Sequence, residues 1–132
     1  MDDIDSVIET IPGIGPINGA TILGEIGDIN KFSSPAKLVA YAGIDASVRQ
    51  SGEFEGTHNV MSKRGSPYLR KALFSAALVA SRYDPVLKAF YDKKRSEGKC
   101  HRVALSHVCK KIIRVIYILE TKNIQFDPSL LK

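Results

Sequence analysis

Gln50-Ser51-Gly52 is followed eleven residues on by Ser62-Lys63-Arg64-Gly65-Ser66, and then by Arg70. A serine beside glycine sits on adaptable backbone, and a guanidinium or ammonium group nearby can hold a phosphate and offset the charge that develops when it is attacked. This set therefore points to phosphoryl transfer, with Ser51 as nucleophile and Lys63, Arg64 and Arg70 as the phosphate-binding group. Taken alone, a Ser-Gly pair reads as an ordinary hydrogen-bonded turn; the neighbouring cations are what point to chemistry. His58, in the same stretch, fits either a proton acceptor for Ser51 or a solvated loop histidine.

Two further patterns suggest nucleic acid. Ile11-Pro12-Gly13-Ile14-Gly15-Pro16 separates two helical patterns within residues 6–27, the arrangement of a helix-hairpin-helix. Gly13 and Gly15 allow a tight bend that leaves backbone N–H groups open at the start of the next helix, where a phosphate is favoured. Ile17 and Asn18 stand where such hairpins often carry a basic residue, so packing or dimerisation is an equal reading. The second pattern is His107, Lys110, Lys111 and Arg114, spaced three and four apart and so sharing one helix face. With Arg102 and Lys93-Lys94-Arg95, this stripe reads either as a solvated outer face or as a track for a phosphate backbone.

Charge is unevenly spread. Residues 1–62 hold three basic and nine acidic residues, net −6, while residues 63–132 hold sixteen basic and five acidic, net +11, giving the overall +5. A cationic half attracts polyanions through counterion release. Cys100, His101, His107 and Cys109 invite a zinc site, but one helix cannot bring all four to a point, so no metal ligands are assigned. Two cysteines make no disulfide framework. No charged-then-apolar leader follows Met1, and the longest apolar run, Ile112 to Leu119, is broken by Arg114, well short of the roughly 20 residues that span a bilayer. A cytoplasmic, membrane-free setting is the expectation.

The elements that position these residues read as all-α. Asp2 to Thr10 is a short helix, and Ile17 to Ile26 a second that turns Ala20, Leu23 and Gly24 to a partner. Ser33 or Ser34 with Pro35 opens a third, ended by Gly43. Residues 44–65, rich in glycine and poor in aliphatics, form a long active-site loop or small β-hairpin. A helical bundle follows over 66–122. Ser66-Pro67 opens a helix to Arg82 with Leu69, Ala72, Leu73, Ala76 and Ala80 on one face. Asp84-Pro85 opens another to about Glu97, with Val86, Leu87, Phe90 and Tyr91 apolar. The last runs from about Arg102 to Thr121, its apolar face formed by Leu105, Val108, Ile112, Val115, Ile116 and Leu119. Residues 123–132 read as a frayed tail. One domain accounts for residues 1–132, with an aliphatic core, since tryptophan is absent and hydrophobic residues make up 44%.

Taken in order, Ile-Pro-Gly-Ile-Gly-Pro, Gly27-Asp28-Ile29, Leu38-Val39-Ala40-Tyr41-Ala42-Gly43-Ile44, Gln50-Ser51-Gly52, Ser62-Lys63-Arg64-Gly65-Ser66, Leu69-Arg70-Lys71-Ala72-Leu73, Pro85-Val86 and Phe90-Tyr91 resemble the C-terminal transposase domain of the IS110/IS116/IS902 insertion-sequence recombinases, relatives of the Piv-type DNA invertases. The likeness runs over residues 6–120. It implies a DNA-binding, serine-nucleophile domain that works with an N-terminal RuvC-like nuclease domain. It also implies a structured non-coding guide RNA and assembly as homo-oligomers. By motif position the nucleophile is Ser51, with Ser47 and Ser62 next in line. The divalent metal belongs to the acidic tetrad of the nuclease domain, so no cofactor is expected in this one. The acidic residues of 1–62 do not reproduce such a tetrad, so the chain alone is expected to lack strand-transfer activity. The alternative is a non-catalytic helix-hairpin-helix module for nucleic-acid binding or oligomerisation.

Overall fold

Three of the five α-helices among the described residues open with the same device. Ser34-Pro35, Ser66-Pro67 and Asp84-Pro85 each place an oxygen-bearing residue at the N-cap and proline at the first helical position, where its missing N–H costs nothing. In the computed structural model, which describes residues 7–44 and 66–131, these openings begin α2 (Pro35–Ala42), α3 (Pro67–Tyr83) and α4 (Pro85–Ser96). The Ser34, Ser66 and Asp84 side chains accept from the N–H groups of Lys37, Leu69 and Leu87. α1 spans Pro16–Ile26 and α5 spans His101–Lys122, and every described residue outside these helices lies in 3-10 turns or irregular chain. Gly43, in the left-handed conformation at φ 72°, ends α2 and returns its N–H to Val39 and Ala40.

α5 is the axis of the fold. Its 22 residues run about 33 Å. It packs against α2, α3, α4 and the 3-10 turns at Val7–Thr10, Ile29–Lys31 and Pro128–Leu131. Leu105, Val108, Ile112, Ile113, Val115, Ile116 and Leu119 are all buried along it. Each such aliphatic side chain contributes on the order of 2 kcal/mol by leaving water. α3 lies alongside with its small residues inward: Ala72, Ala76, Ala77 and Ala80 are buried with Leu69 and Leu73. Alanine brings backbones close, and α1 also packs on α3.

Several expectations need correction. Within the described residues the first arm of the hairpin is a single 3-10 turn, Val7–Thr10, rather than an α-helix reaching Thr10. On α1 the buried residues are Gly19, Ile22 and Ile26, while Ala20 and Gly24 are exposed. The branched isoleucines bury more apolar area than alanine or glycine, so the helix turns them inward. The tail is docked. Phe126 donates its N–H to Thr10 Oγ1 at 2.9 Å, and Leu131 is buried. Pro128 starts a 3-10 turn, where its fixed φ and missing N–H are tolerated. Among the described residues no helix is long and apolar enough to cross a membrane.

Candidate nucleic-acid interface

Ser51, Lys63 and Arg64 lie outside the described residues, as do His58, Ser47 and Ser62. The structure does describe both flanks of that segment. Ile44 is buried, and Ser66 is 9% exposed. Ser66 Oγ donates to Glu25 Oε1 of α1 while accepting from the Leu69 N–H. Tyr41 of α2 donates its hydroxyl to the Glu25 carbonyl at 3.2 Å. Arg70 Nη1 donates to the Ala42 carbonyl at 3.2 Å, at the end of α2. The end of α1, the end of α2 and the start of α3 are thus tied together where residues 45–65 depart and return. Arg70 is half-buried and already serves this joint; its other guanidinium donors have no partner among the described residues.

The two hairpin glycines differ. Gly13 has φ +92°, and a Cβ there would lie 2.4 Å from the Ala76 carbonyl oxygen of α3. Its lack of a side chain lets the bend press onto α3. Gly15 is the N-cap of α1 at φ −94°, and a Cβ there would meet nothing within 4 Å. Among the described residues no side chain caps α1 at its first turn. The Glu9 side chain lies against Gly19 in that same region, and its Oε2 is buried without a hydrogen-bond partner among the described residues. A carboxylate so placed competes with any phosphate at this helix start.

The basic stripe is a genuine cluster, with a different membership from that read off one helix. His107, Lys110 and Lys111 are half-buried and Arg114 is exposed. Lys94 of α4 and Lys99 of the connection join them. Burial, then the charges of Lys94, Lys110 and Lys99, hold His107 below the ordinary imidazole value, against a weaker opposing pull from Glu97. His107 is therefore largely neutral at pH 7. Burial, then Arg114 and Lys94, lower Lys111 in the same sense. Lys111 points inward: Nζ sits 4.6 Å from the Phe90 ring centre and donates to the Leu131 carbonyl at 3.0 Å. Lys94 lies 5.3 Å over the same ring, with Glu97 at 3.6 Å. Arg102 instead stacks at 5.0 Å on Phe74 of α3.

Lys110 and Arg114 also form one wall of a groove of about 340 Å³ whose other wall is Pro35, Ala36, Val39 and Ala40 of α2. An apolar bed edged by two cations suits a sugar-phosphate chain. Sequence periodicity found the α5 half of this site. It missed Lys99 and the α2 wall, because spacing along one helix says nothing of the element packed beside it.

The two cysteines face different surroundings. Cys109 is buried, its thiol donating to the Leu73 carbonyl at 3.5 Å, and burial drives its pKa well above the ordinary thiol value. Cys100 is exposed at the start of α5. Its sulfur makes no cap hydrogen bond of good geometry, yet the nearby Val103 N–H, aided by the Arg102 N–H and the Arg95 charge, favours its thiolate. Iodoacetamide at pH 7.5 should therefore alkylate Cys100 quickly and spare Cys109 until the protein is unfolded. Equal labelling of both in the native state would contradict this packing.

Residues 5–92 match the family model described as Transposase IS116/IS110/IS902 family, a stretch that takes in α1, α2 and α3 and most of α4. Three similar proteins illustrate the kinship. An insertion element IS110 protein of Streptomyces coelicolor is 30% identical over 88% of this chain and 28% of its own length. An insertion element IS900 protein of Mycobacterium paratuberculosis is 32% identical over 93% of this chain and 31% of its own length. The pilin gene-inverting protein of Moraxella bovis is 32% identical over 95% of this chain and 39% of its own length. The chain thus spans roughly three-tenths to two-fifths of these relatives. The family match covers 88 of the 132 residues, from residue 5 to residue 92, and the chain belongs to the Transposase IS116/IS110/IS902 family.

Proposed function

We propose that this chain is the DNA-binding, nucleophile-bearing domain of a transposase or site-specific recombinase, corresponding to the C-terminal part of its relatives. The single observation that carries the nucleic-acid half is the cationic gathering of Lys94, Lys99 and Lys110 around His107, continued by Arg114 along a groove walled by α2. Like charges this close repel, and a polyanion relieves the repulsion. The hairpin over residues 6–27 acts chiefly as a packing device, because Gly13 presses on α3 and Glu9 occupies the flank of α1.

In this reading Ser51 attacks a DNA phosphorus atom, forming a phosphoserine linkage and releasing a strand end, so that bond energy is conserved for rejoining. Lys63 and Arg64, with the remaining guanidinium donors of Arg70, hold the phosphate. Among the described residues no three His, Cys, Asp or Glu side chains gather closely enough to hold a metal. The divalent metal is assigned to a RuvC-like nuclease domain, and no step is routed through it in this one. A structured RNA and further copies of the protein complete the assembly, in the cytoplasm.

The test uses a protein that joins this domain to its nuclease domain. Ser51→Ala should reduce recombination by at least about 10³-fold, the scale of losing a covalent nucleophile, while DNA affinity stays within about twofold. Retained recombination would move the nucleophile to Ser47 or Ser62.

A second reading, an oligomerisation module, is favoured by Ile17, 82% exposed at the head of α1, in line with exposed Ala20 and Gly24. Light scattering of Ile17→Glu against the parent chain separates the two: loss of a multimer with unchanged DNA affinity supports this second role.

A further inference from the structure

We infer that the outer face of α3 is a second nucleic-acid surface, built for a strand with unpaired bases. This rests on the reading above that the chain handles nucleic acid, but uses residues that reading does not. Tyr68 and Tyr83 stand at the two ends of α3, 69% and 79% exposed, with Val79 between them at 42%. Lys71 and Arg82 are exposed on the same helix. At 100° per residue, Lys71, Val79, Arg82 and Tyr83 all fall within about 60° of Tyr68, so the five share one side of the helix. The core face, Leu69, Ala72, Leu73, Ala76 and Ala80, is centred about 100° round the helix from Tyr68, and Tyr83 stands at its border.

The charge of this face selects its partner. α3 contains three basic residues and no Asp or Glu along its 17 residues. Tyr68, Lys71, Arg82 and Tyr83 make no hydrogen bond, ion pair or ring contact with other described residues. A purely structural face would satisfy two tyrosines and two cations internally or pair the cations with carboxylates. Two exposed aromatic rings with cations beside them are the elements of a stacking platform: rings take bases, cations take the phosphates between. Such rings gain little from duplex DNA, whose base faces are already covered. They gain from loops, bulges and displaced strands, where bases are splayed. Fifteen residues separate the tyrosines, about 22 Å of helix, the length of about six stacked nucleotides at 3.4 Å each.

The test measures anisotropy of labelled oligothymidylate of about twelve nucleotides, against a duplex of equal length, with the 132-residue chain. Quenching of intrinsic tyrosine fluorescence, clean in a chain with five tyrosines and no tryptophan, reports stacking directly. Tyr68→Ala and Tyr83→Ala should each weaken single-strand binding about tenfold, leave duplex affinity within twofold, and leave the melting temperature unchanged. The Tyr→Phe variants should bind the single strand as the parent does. Lys71→Ala should lower the salt slope for the single strand by about 0.7. Unchanged single-strand affinity in both alanine variants would overturn the inference, as would equal losses for strand and duplex. A multimer that dissolves in the tyrosine variants would give the face to a second copy instead. If the parent chain binds neither strand nor duplex at low salt, the broader nucleic-acid reading fails; if it binds duplex alone, only this inference does.

Discussion

Gly13→Ala should destabilise the domain far more than Gly15→Ala, with a cost of about 4 kcal/mol. The new Cβ would sit 2.4 Å from the Ala76 carbonyl oxygen and 3.1 Å from the Ala80 Cβ, and the residue holds φ +92°. A side chain at that φ costs roughly 1–3 kcal/mol. Forcing a methyl into a closed contact costs a similar amount, because the obstacle is helix backbone that cannot swing aside. For 132 residues that corresponds to a fall in melting temperature on the order of 10–15 °C. Gly15→Ala, two residues on, meets open space at an ordinary φ and should stay within about 1 kcal/mol of the parent. Calorimetry of the pair reads the difference. Equal behaviour would mean that the bend does not seat on α3 as described.

Charge reversal at the α2–α5 groove should produce the largest binding effect. Lys110→Glu with Arg114→Glu replaces two cations on the groove wall by two anions. Removing two phosphate contacts should lower the salt slope for duplex DNA by about 1.8. The added repulsion should take affinity at low salt down by about 100-fold or more. Lys111 is left untouched because its ammonium donates to the Leu131 carbonyl and lies on Phe90, so its loss would undock the tail as well. There is also a pH signature. His107 lies below its ordinary value because it is buried among Lys94, Lys110 and Lys99. A bound polyanion raises its proton affinity, so binding takes up protons and strengthens as pH falls through the ordinary imidazole range. His107→Gln should flatten that dependence. Unchanged affinity in the double reversal would remove this face from the interface.

Much of the helical scaffold can be read from local rules. The α3 set Leu69, Ala72, Leu73, Ala76 and Ala80 is buried as its spacing requires, and so is the α5 set. Ser66 and Asp84 start their helices because a capping oxygen followed by proline has few other uses. What escaped was decided between elements. Ala20 and Gly24 looked like a packing edge, but Ile22 and Ile26 won the inward face of α1. Pro128 suggested a loose end, yet Phe126 and Leu131 had a core to reach. Lys111 belonged to the cationic face by spacing, and a carbonyl from the tail drew it inside. The glycines of the bend look alike in sequence; only the neighbouring α3 separates a required Gly13 from a tolerant Gly15.

The candidate site divides in the same way. Residue type marked Lys94, Lys110 and Arg114, and packing added Lys99 and the α2 wall. Arg70 was read as a phosphate ligand, and the structure gives it a hydrogen bond to the end of α2, beside the anchors of residues 45–65. Ser51, Lys63 and Arg64 rest on the ordered motifs and on family membership.

The proposed chemistry reduces to one bond, between the Ser51 oxygen and a DNA phosphorus. A protein carrying both this domain and its nuclease domain can be incubated with a suicide DNA substrate, digested with trypsin and nuclease, and sequenced by tandem mass spectrometry. The expected result is a nucleotide mass on Ser51, absent from the Ser51→Ala variant. A nucleotide on Ser47 or Ser62, or strand exchange proceeding with no serine-linked DNA at all, would contradict it.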